Sequence, residues 1–321
     1  MMEEKMNLPV CAVGTWAWGE GANGSKMIFG GKRDTAALKN AFNTALNSGF
    51  TLWDTAEVYG MGSSERLLGE CIREAGDMGR NVIISTKHMP LKKYSPGEVR
   101  SALFGSLERL GAGKADIFWL HQAFNAGQNL NECAELVKEG KIGIIGLSNF
   151  DLEQIIAADK QLKEKGLRVG AVQNHFSLIR RDPEQLDILK WCHENDVTYF
   201  SYMVLEQGAL TGKYDDEHPI KGISLRSIQY NKRVLKKLRP LIDCLRETAR
   251  DHDCKPAQIA VSWAISKGTV PIVGITKPSQ AEELARTREI VLTEEEICRL
   301  EGLADNSGIV SKGVWEPKIT R

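Results

Sequence analysis

A carboxylate, a phenol, an ammonium and an imidazole stand where short apolar runs of this chain end. Asp54 closes the run Phe50–Asp54 and Tyr59 follows in the next turn; Lys87 follows Val82–Thr86, and His121 follows Asp116–Leu120. As a unit these groups suit reduction of a carbonyl, which needs a hydride on carbon and a proton on oxygen. A free Tyr, with a pKa of about 10, is a sluggish acid at neutral pH. A nearby ammonium favours the phenolate and so lowers that value. A buried Asp can hold the ammonium charged, and an imidazole can hydrogen-bond and orient the carbonyl oxygen. Tyr59 is therefore the expected general acid, and the base in the reverse direction. Taken singly, each residue has a plainer explanation: a packing Tyr, a solvated Lys, a turn-capping Asp, a core His. Joint placement at strand ends is what favours a site.

Those residues need a scaffold that brings strand ends together. Apolar runs recur at Val10–Thr15, Phe50–Asp54, Val82–Thr86, Asp116–Leu120, Ile142–Leu147, Val169–Gln173, Val197–Tyr202 and Thr269–Val273. Amphipathic segments separate them. Asp34, Ser63 or Ser64, and Asp151 read as helix caps, and Ser95-Pro96 and Asp182-Pro183 as helix openings. Asn129–Glu139, Asn231–Arg250, Pro256–Ser266 and a segment from Ser279 also read as helices. Strict alternation implies a parallel sheet, and eight units can close a (β/α)8 TIM barrel whose active site lies at the strand C-terminal ends. An open doubly wound sheet is the rival, but no G-x-G-x-x-G follows the first run. Thr293–Glu296 reads as the capping box of an extra C-terminal helix, followed by a loop-like tail, and Tyr214–Tyr230 reads as a long loop. One domain spanning 1–321 is expected.

Composition narrows the class. The chain has 321 residues, with Lys plus Arg and Asp plus Glu both 42, so no basic field invites nucleic acid or an anionic membrane. Its seven cysteines are scattered without a C-x-x-C, which fits reduced thiols rather than a disulfide framework. Met1–Asn7 lacks the apolar run of a signal peptide, and no stretch is apolar enough to span a bilayer, so a cytoplasmic location is expected. No metal site is expected: His252-Asp253-Cys254 reads as a solvated loop.

The segment Gly49-Phe50-Thr51-Leu52-Trp53-Asp54-Thr55-Ala56-Glu57-Val58-Tyr59-Gly60 closely resembles the signature of the aldo-keto reductase family. Ser64-Glu65, Leu68-Gly69, Ile84-Ser85-Thr86-Lys87 and Trp119-Leu120-His121 match as well, and the resemblance runs in order along nearly the whole chain. It includes the branch that holds the potassium-channel beta subunits. It implies a catalytic tetrad of Asp54, Tyr59, Lys87 and His121, with NADPH, or NADH, as hydride donor. It places Gly14, Thr15, Trp16 and Asp54 at the cofactor, and Ser148, Asn149 and Gln173 on the nicotinamide carboxamide, with Tyr202 stacked on the ring. Leu205, Gln207, Gly208, Leu210, Gly212 and Lys213 match the loop that crosses the pyrophosphate, although Met203-Val204-Leu205 replaces the family's usual Ser-Pro-Leu. Gly274, Thr276, Lys277, Ser279, Gln280 and Glu283 match the adenosine-phosphate site. There Thr276 stands where many members have Arg, and Leu284 where many have Asn, which weakens the case for a 2′-phosphate.

Trp16 matches an aromatic wall of the family's substrate pocket, which Tyr59, His88 and His121 are expected to share. Trp18, Phe29, Met89, Phe124 and Trp315 lie on loops that can reach the same mouth. Aromatic walls favour apolar or planar carbonyl substrates. The expected activity is reduction of an aldehyde or ketone to the alcohol. The rival is a cofactor-sensing binding subunit with little turnover, which an intact tetrad does not exclude.

Overall fold

The structure is a computed structural model that describes residues 8–21, 24–30 and 33–313. Eight parallel strands close a barrel in chain order, β1 pairing with β8. They are β1 (Ala12–Gly14), β2 (Leu52–Asp54), β3 (Ile83–His88), β4 (Ala115–Leu120), β5 (Ile142–Ser148), β6 (Ala171–His175), β7 (Thr198–Tyr202) and β8 (Val270–Gly274). The expected runs and these strands coincide, with β1 and β2 shorter and with β3 and β6 each ending two residues later, at His88 and His175. The extra helix after the barrel, Glu294–Asn306, is present with its Thr293–Glu296 capping box. Trp315 and Met1–Asn7 lie outside the described residues.

Side-chain alternation explains both the core and the site. Successive strand residues point to opposite faces. Ala12, Leu52, Ile117, Trp119, Ala171 and Phe200 form a buried plug inside the barrel, with Ile83, Ile144, Val270 and Ile272 against it. The other parity, from Val13 and Trp53 through Phe118 and Val172 to Val273, packs outward under the helices. Continuing the inward parity above the plug gives Asp54, Ser85, Lys87, His121, Ser148, Gln173, His175 and Tyr202. The barrel interior therefore turns from apolar to polar at one level, the C-terminal ends of the strands. Trp119 marks that boundary. Its indole Nε1 donates to Ser85 Oγ at 2.7 Å, and a Cβ at Gly146 would come within 2.2 Å of its ring.

Several local expectations are corrected. Neither Ser63 nor Ser64 caps the helix Ser63–Glu74, which starts after a left-handed Gly62 with no side-chain cap. Ser63 Oγ accepts from Glu20 N at 2.7 Å, and Ser64 Oγ donates to the Thr15 carbonyl at 2.8 Å. Both hydroxyls knit the loop after β1 to the loop after β2 instead. Ser95-Pro96 precedes the helix Glu98–Leu110 rather than opening it. The free amides there are satisfied by Glu132 from the next helix, which accepts from Gly97 N at 2.8 Å and Val99 N at 3.1 Å. The helix at Asp182-Pro183 breaks into Asp182–Gln185 and Ile188–Glu194 at a left-handed Asp187. The Tyr214–Tyr230 segment holds a short helix, Leu225–Gln229, whose Ser224 and Ser227 form a capping box. Of the expected solvated loop at His252-Asp253-Cys254, Asp253 is exposed in the turn after the helix Lys232–Asp251, while His252 caps that helix and its Nε2 meets Glu296 Oε1 at 2.8 Å. The caps at Asp34 and Asp151 stand as expected.

Candidate active site

Asp54, Lys87 and His121 at the strand ends meet Tyr59 from the loop after β2 at the barrel mouth. Lys87 is completely buried, and its ammonium bonds Asp54 Oδ2, donates to the Thr55 carbonyl at 2.8 Å and reaches the Tyr59 hydroxyl at 3.4 Å. Asp54 uses its other oxygen to accept from Ser85 Oγ at 2.8 Å and Gln173 Nε2 at 3.2 Å. A buried carboxylate and ammonium with every hydrogen bond used is the condition under which such a pair is tolerated. The His121 ring stands edge-on to Tyr59, centroids 6.0 Å apart.

Burial sets the protonation states. It pushes the Tyr59 phenol well above its usual value, with the Asp54 charge adding to the rise. This corrects the expectation that Lys87 lowers the phenol: loss of solvent outweighs an ammonium whose charge Asp54 already balances. Burial also lowers the Lys87 ammonium, against which Asp54 and Glu65 work. His121 is driven well below the ordinary His value, first by burial and then by Lys87 and His88. In the free protein the site thus presents a protonated phenol and a neutral imidazole.

The loop that carries Tyr59 is held from beneath. Glu65, wholly buried, accepts from Thr86 Oγ1 and Arg109 Nε, both at 2.6 Å. Gly60 is left-handed (φ +57°), and a Cβ there would lie 2.3 Å from Glu20 N. Glycine is required for that close approach.

Trp16 stacks near Tyr59 (6.1 Å, 30°) and meets Phe29 edge-on at 5.6 Å, so an aromatic wall flanks the phenol. Trp18 does not join it. That residue is fully buried, donates to the Ile275 carbonyl at 2.8 Å and packs on Trp53. His88 follows Lys87 on β3 and points to the opposite face, where its Nδ1 shares 2.7 Å with Glu57 Oε1. It stands beside the tetrad rather than among it. Met89 N donates to the same Glu57 oxygen at 2.8 Å, and Phe124 is exposed.

The residues assigned to a dinucleotide lie around the rest of the mouth. Gly14 and Gly274 are register partners across β1 and β8. Thr15 is buried and donates to the Asp54 carbonyl. Ser148 ends β5, and left-handed Asn149 gives its amide to the His121 carbonyl (3.0 Å) and Ser148 Oγ (3.2 Å). Tyr202 OH donates to Asn149 Oδ1 at 2.6 Å. The Ser148 hydroxyl, the Gln173 amide and the Tyr202 ring, with inward parity at one level, fit a nicotinamide carboxamide and ring. Gln207 and Gly208 lie in a left-handed stretch, and the buried Gln207 Oε1 has no partner. Such an orphan acceptor fits a ligand donor. Leu205 is half-buried, Gly212 is left-handed and Lys213 is exposed. The Leu210 side chain is buried in the core, so only its backbone is left for a ligand. Near the start of the helix Pro278–Arg286, Lys277 and Ser279 are exposed, as an anion site requires. Gln280 is used locally: its Oε1 accepts from Thr276 N at 2.8 Å and Lys277 N at 3.1 Å. Glu283 is half-buried and Leu284 belongs to the core. Among the described residues the acid and His side chains close enough to share a metal are Asp215, Glu217 and His218. Asp215 is already occupied by Arg246 and Arg239 at 2.7 and 2.9 Å.

A barrel carrying this tetrad at its mouth is the architecture of a nicotinamide-dependent oxidoreductase. Residues 11–305 match the model of the Aldo/keto reductase family, to which this chain belongs. It is 33% identical over 309 residues to the chloroplastic pyridoxal reductase of Arabidopsis thaliana, covering 92% of this chain and 82% of that protein. An aldo-keto reductase of Schizosaccharomyces pombe named for NADP(+) is 25% identical over 326 residues, 95% of this chain and 94% of the other. Among solved structures, a thermostable aldo-keto reductase in complex with the inhibitor epalrestat superposes with a TM-score of 0.73 at 26% identity, over 92% of this chain and 95% of that one. The glycerol dehydrogenase of Gluconobacter oxydans shares the fold (TM-score 0.79, 23% identity, coverage 98% and 97%).

The site also holds groups that motif reading passes over. Ser85 and the Thr55 carbonyl complete the buried pair, and Glu65 with Arg109 braces the Tyr59 loop. Thr55, Glu65 and Ser85 stand within the signature segments, which announce no such role for them, and Arg109 is distant in sequence with no local pattern to mark it. Glu206, His175, Ser177, Tyr230 and Ser311 form a second buried polar cluster that no motif announces.

Proposed function

We propose that this chain is a single-domain NADPH-dependent reductase that converts an aldehyde or ketone to the alcohol, with Tyr59 giving the proton. The carrying observation is the buried Lys87, bound by Asp54 and the Thr55 carbonyl and 3.4 Å from the Tyr59 hydroxyl. A nicotinamide held by Ser148, Asn149, Gln173 and Tyr202 would supply the hydride for the carbonyl carbon. Tyr59 enters the reaction protonated, because burial holds it so. As negative charge grows on the substrate oxygen, the phenol releases its proton to it. The ammonium beside the phenol stabilises the phenolate that forms, and Asp54 keeps the ammonium in register. His121, neutral, offers one N–H to the same oxygen and orients it. Ser148, Asn149, Gln173 and Tyr202 would hold the nicotinamide, and Lys277 and Ser279 the adenosine phosphate.

Trp16, Phe29 and Tyr59 favour flat or apolar carbonyl compounds. The relative named pyridoxal reductase acts, by its name, on an aromatic aldehyde, and this wall suits that class. All seven cysteines are free, which accords with a reducing, cytoplasmic setting. Among the described residues no helix is long and apolar enough to cross a membrane.

A panel of aromatic and aliphatic aldehydes and ketones, followed by NADPH and NADH oxidation, tests the proposal. Turnover of aromatic aldehydes with NADPH is expected. Cofactor binding without turnover of any carbonyl would instead favour a sensing subunit.

A further inference from the structure

Glu206 is a buried acid that the tetrad does not use. It lies in the stretch that the proposed NADPH site lays across the pyrophosphate, and it is fully buried. Its backbone is left-handed (φ +48°), as are Met203 (+61°), Gln207 (+53°) and Gly208 (+104°). Non-glycine residues avoid that conformation, and it persists where surrounding contacts fix it.

Four side chains do the fixing. His175 Nε2 and Ser311 Oγ lie 2.7 Å from the Glu206 carboxylate, and Ser177 Oγ and Tyr230 OH bond it as well. A carboxylate only accepts, so the His175 Nε2 must carry a proton. The donors come from the end of β6, the turn after it, the close of the long segment after β7, and the chain beyond the last helix. That last stretch is tied in further, Ser311 N donating to the Ile179 carbonyl at 3.1 Å. His175 also stacks on Tyr202 (5.4 Å, 29°), whose hydroxyl holds Asn149. One carboxylate therefore joins the crossing stretch, the tail and the ring proposed to carry the nicotinamide. An apolar side chain could fill this space without the cost of burying a charge. The ordering of these particular groups is what the charge achieves.

We infer that Glu206 is a positioning residue for the dinucleotide, fixing the Gln207–Tyr214 stretch directly and the Tyr202 ring through His175. The inference rests on the NADPH reading above.

The test is stopped-flow release of NADPH from the full chain and from Glu206→Gln, which keeps the shape and removes the charge. Release about tenfold faster or more is expected, with a matching rise in the KM for NADPH and the carbonyl KM within about twofold. A general loss of structure would not produce that split. A folded Glu206→Gln with release within about twofold of the parent overturns the inference while leaving the cofactor reading intact. If Glu206→Gln does not fold, Tyr230→Phe and Ser311→Ala each delete one donor, and release about threefold faster is expected. Parental rates in both would overturn the inference. A parent protein that binds neither NADPH nor NADH removes the cofactor reading, and this inference with it.

Discussion

The Lys87 ammonium sits 3.4 Å from the Tyr59 hydroxyl while bonding Asp54 and the Thr55 carbonyl. The carboxylate already balances its charge, so it does not ionise the phenol in the free protein. Its effect comes when the phenol parts with its proton and a negative charge appears beside it. The pair is built for a developing charge, not for a resting one.

Tyr59→Phe removes the hydroxyl and little else. Carbonyl reduction is expected to fall by about 10²–10⁴-fold. NADPH affinity and the melting temperature should stay near parental. Steady-state NADPH oxidation and fluorescence titration measure the two sides, and undiminished turnover would rule out Tyr59 as the acid.

Lys87→Met leaves Asp54 buried with only Ser85 and Gln173 as donors. A lone buried charge costs about 3–5 kcal/mol, so urea unfolding should show a loss of that order. Adding Asp54→Asn removes the orphan charge, and the amide oxygen still accepts from both donors. Most of the stability should return in the double variant while turnover does not. Equal instability in single and double variants would contradict the pairing.

The rate of reduction should be flat in pH across the neutral range. His121 is neutral above its depressed pKa, and Tyr59 is protonated below its raised one. Both are therefore in the reactive form between the ordinary His and Tyr values of about 6.5 and 10. A kcat that fell steadily from pH 7 to 9 would show the phenol ionising where burial should prevent it.

Thr276 gives no guanidinium fork to a 2′-phosphate, and its Oγ1 lies 3.2 Å from Gln280 Oε1. Selectivity for NADPH over NADH should therefore be modest, below about a thousandfold or 4 kcal/mol. Thr276→Arg should raise it about tenfold through a charge-assisted contact. Titration with both nucleotides decides the point, and unchanged selectivity in the variant would place the 2′-phosphate elsewhere.

The sequence alone settled much of this protein. Eight β-branched or aromatic runs spaced by amphipathic segments leave a closed parallel sheet as a ready solution, since each strand must be covered on both faces. Asp54, Lys87 and His121 were legible because strand periodicity is local, and ends of parallel strands converge whatever the loops do. Tertiary structure alone decided what depends on partners distant in the chain. Ser63 and Ser64 look like caps but bond the neighbouring loop, because Glu20 and Thr15 reach them from more than forty residues away. The start of Glu98–Leu110 is closed by Glu132, from another helix. The protonation of Tyr59 follows from desolvation, which no spacing reveals. Glu206 gathers donors from as far as Ser311, and a carboxylate declares its burial only once the chain has closed over it.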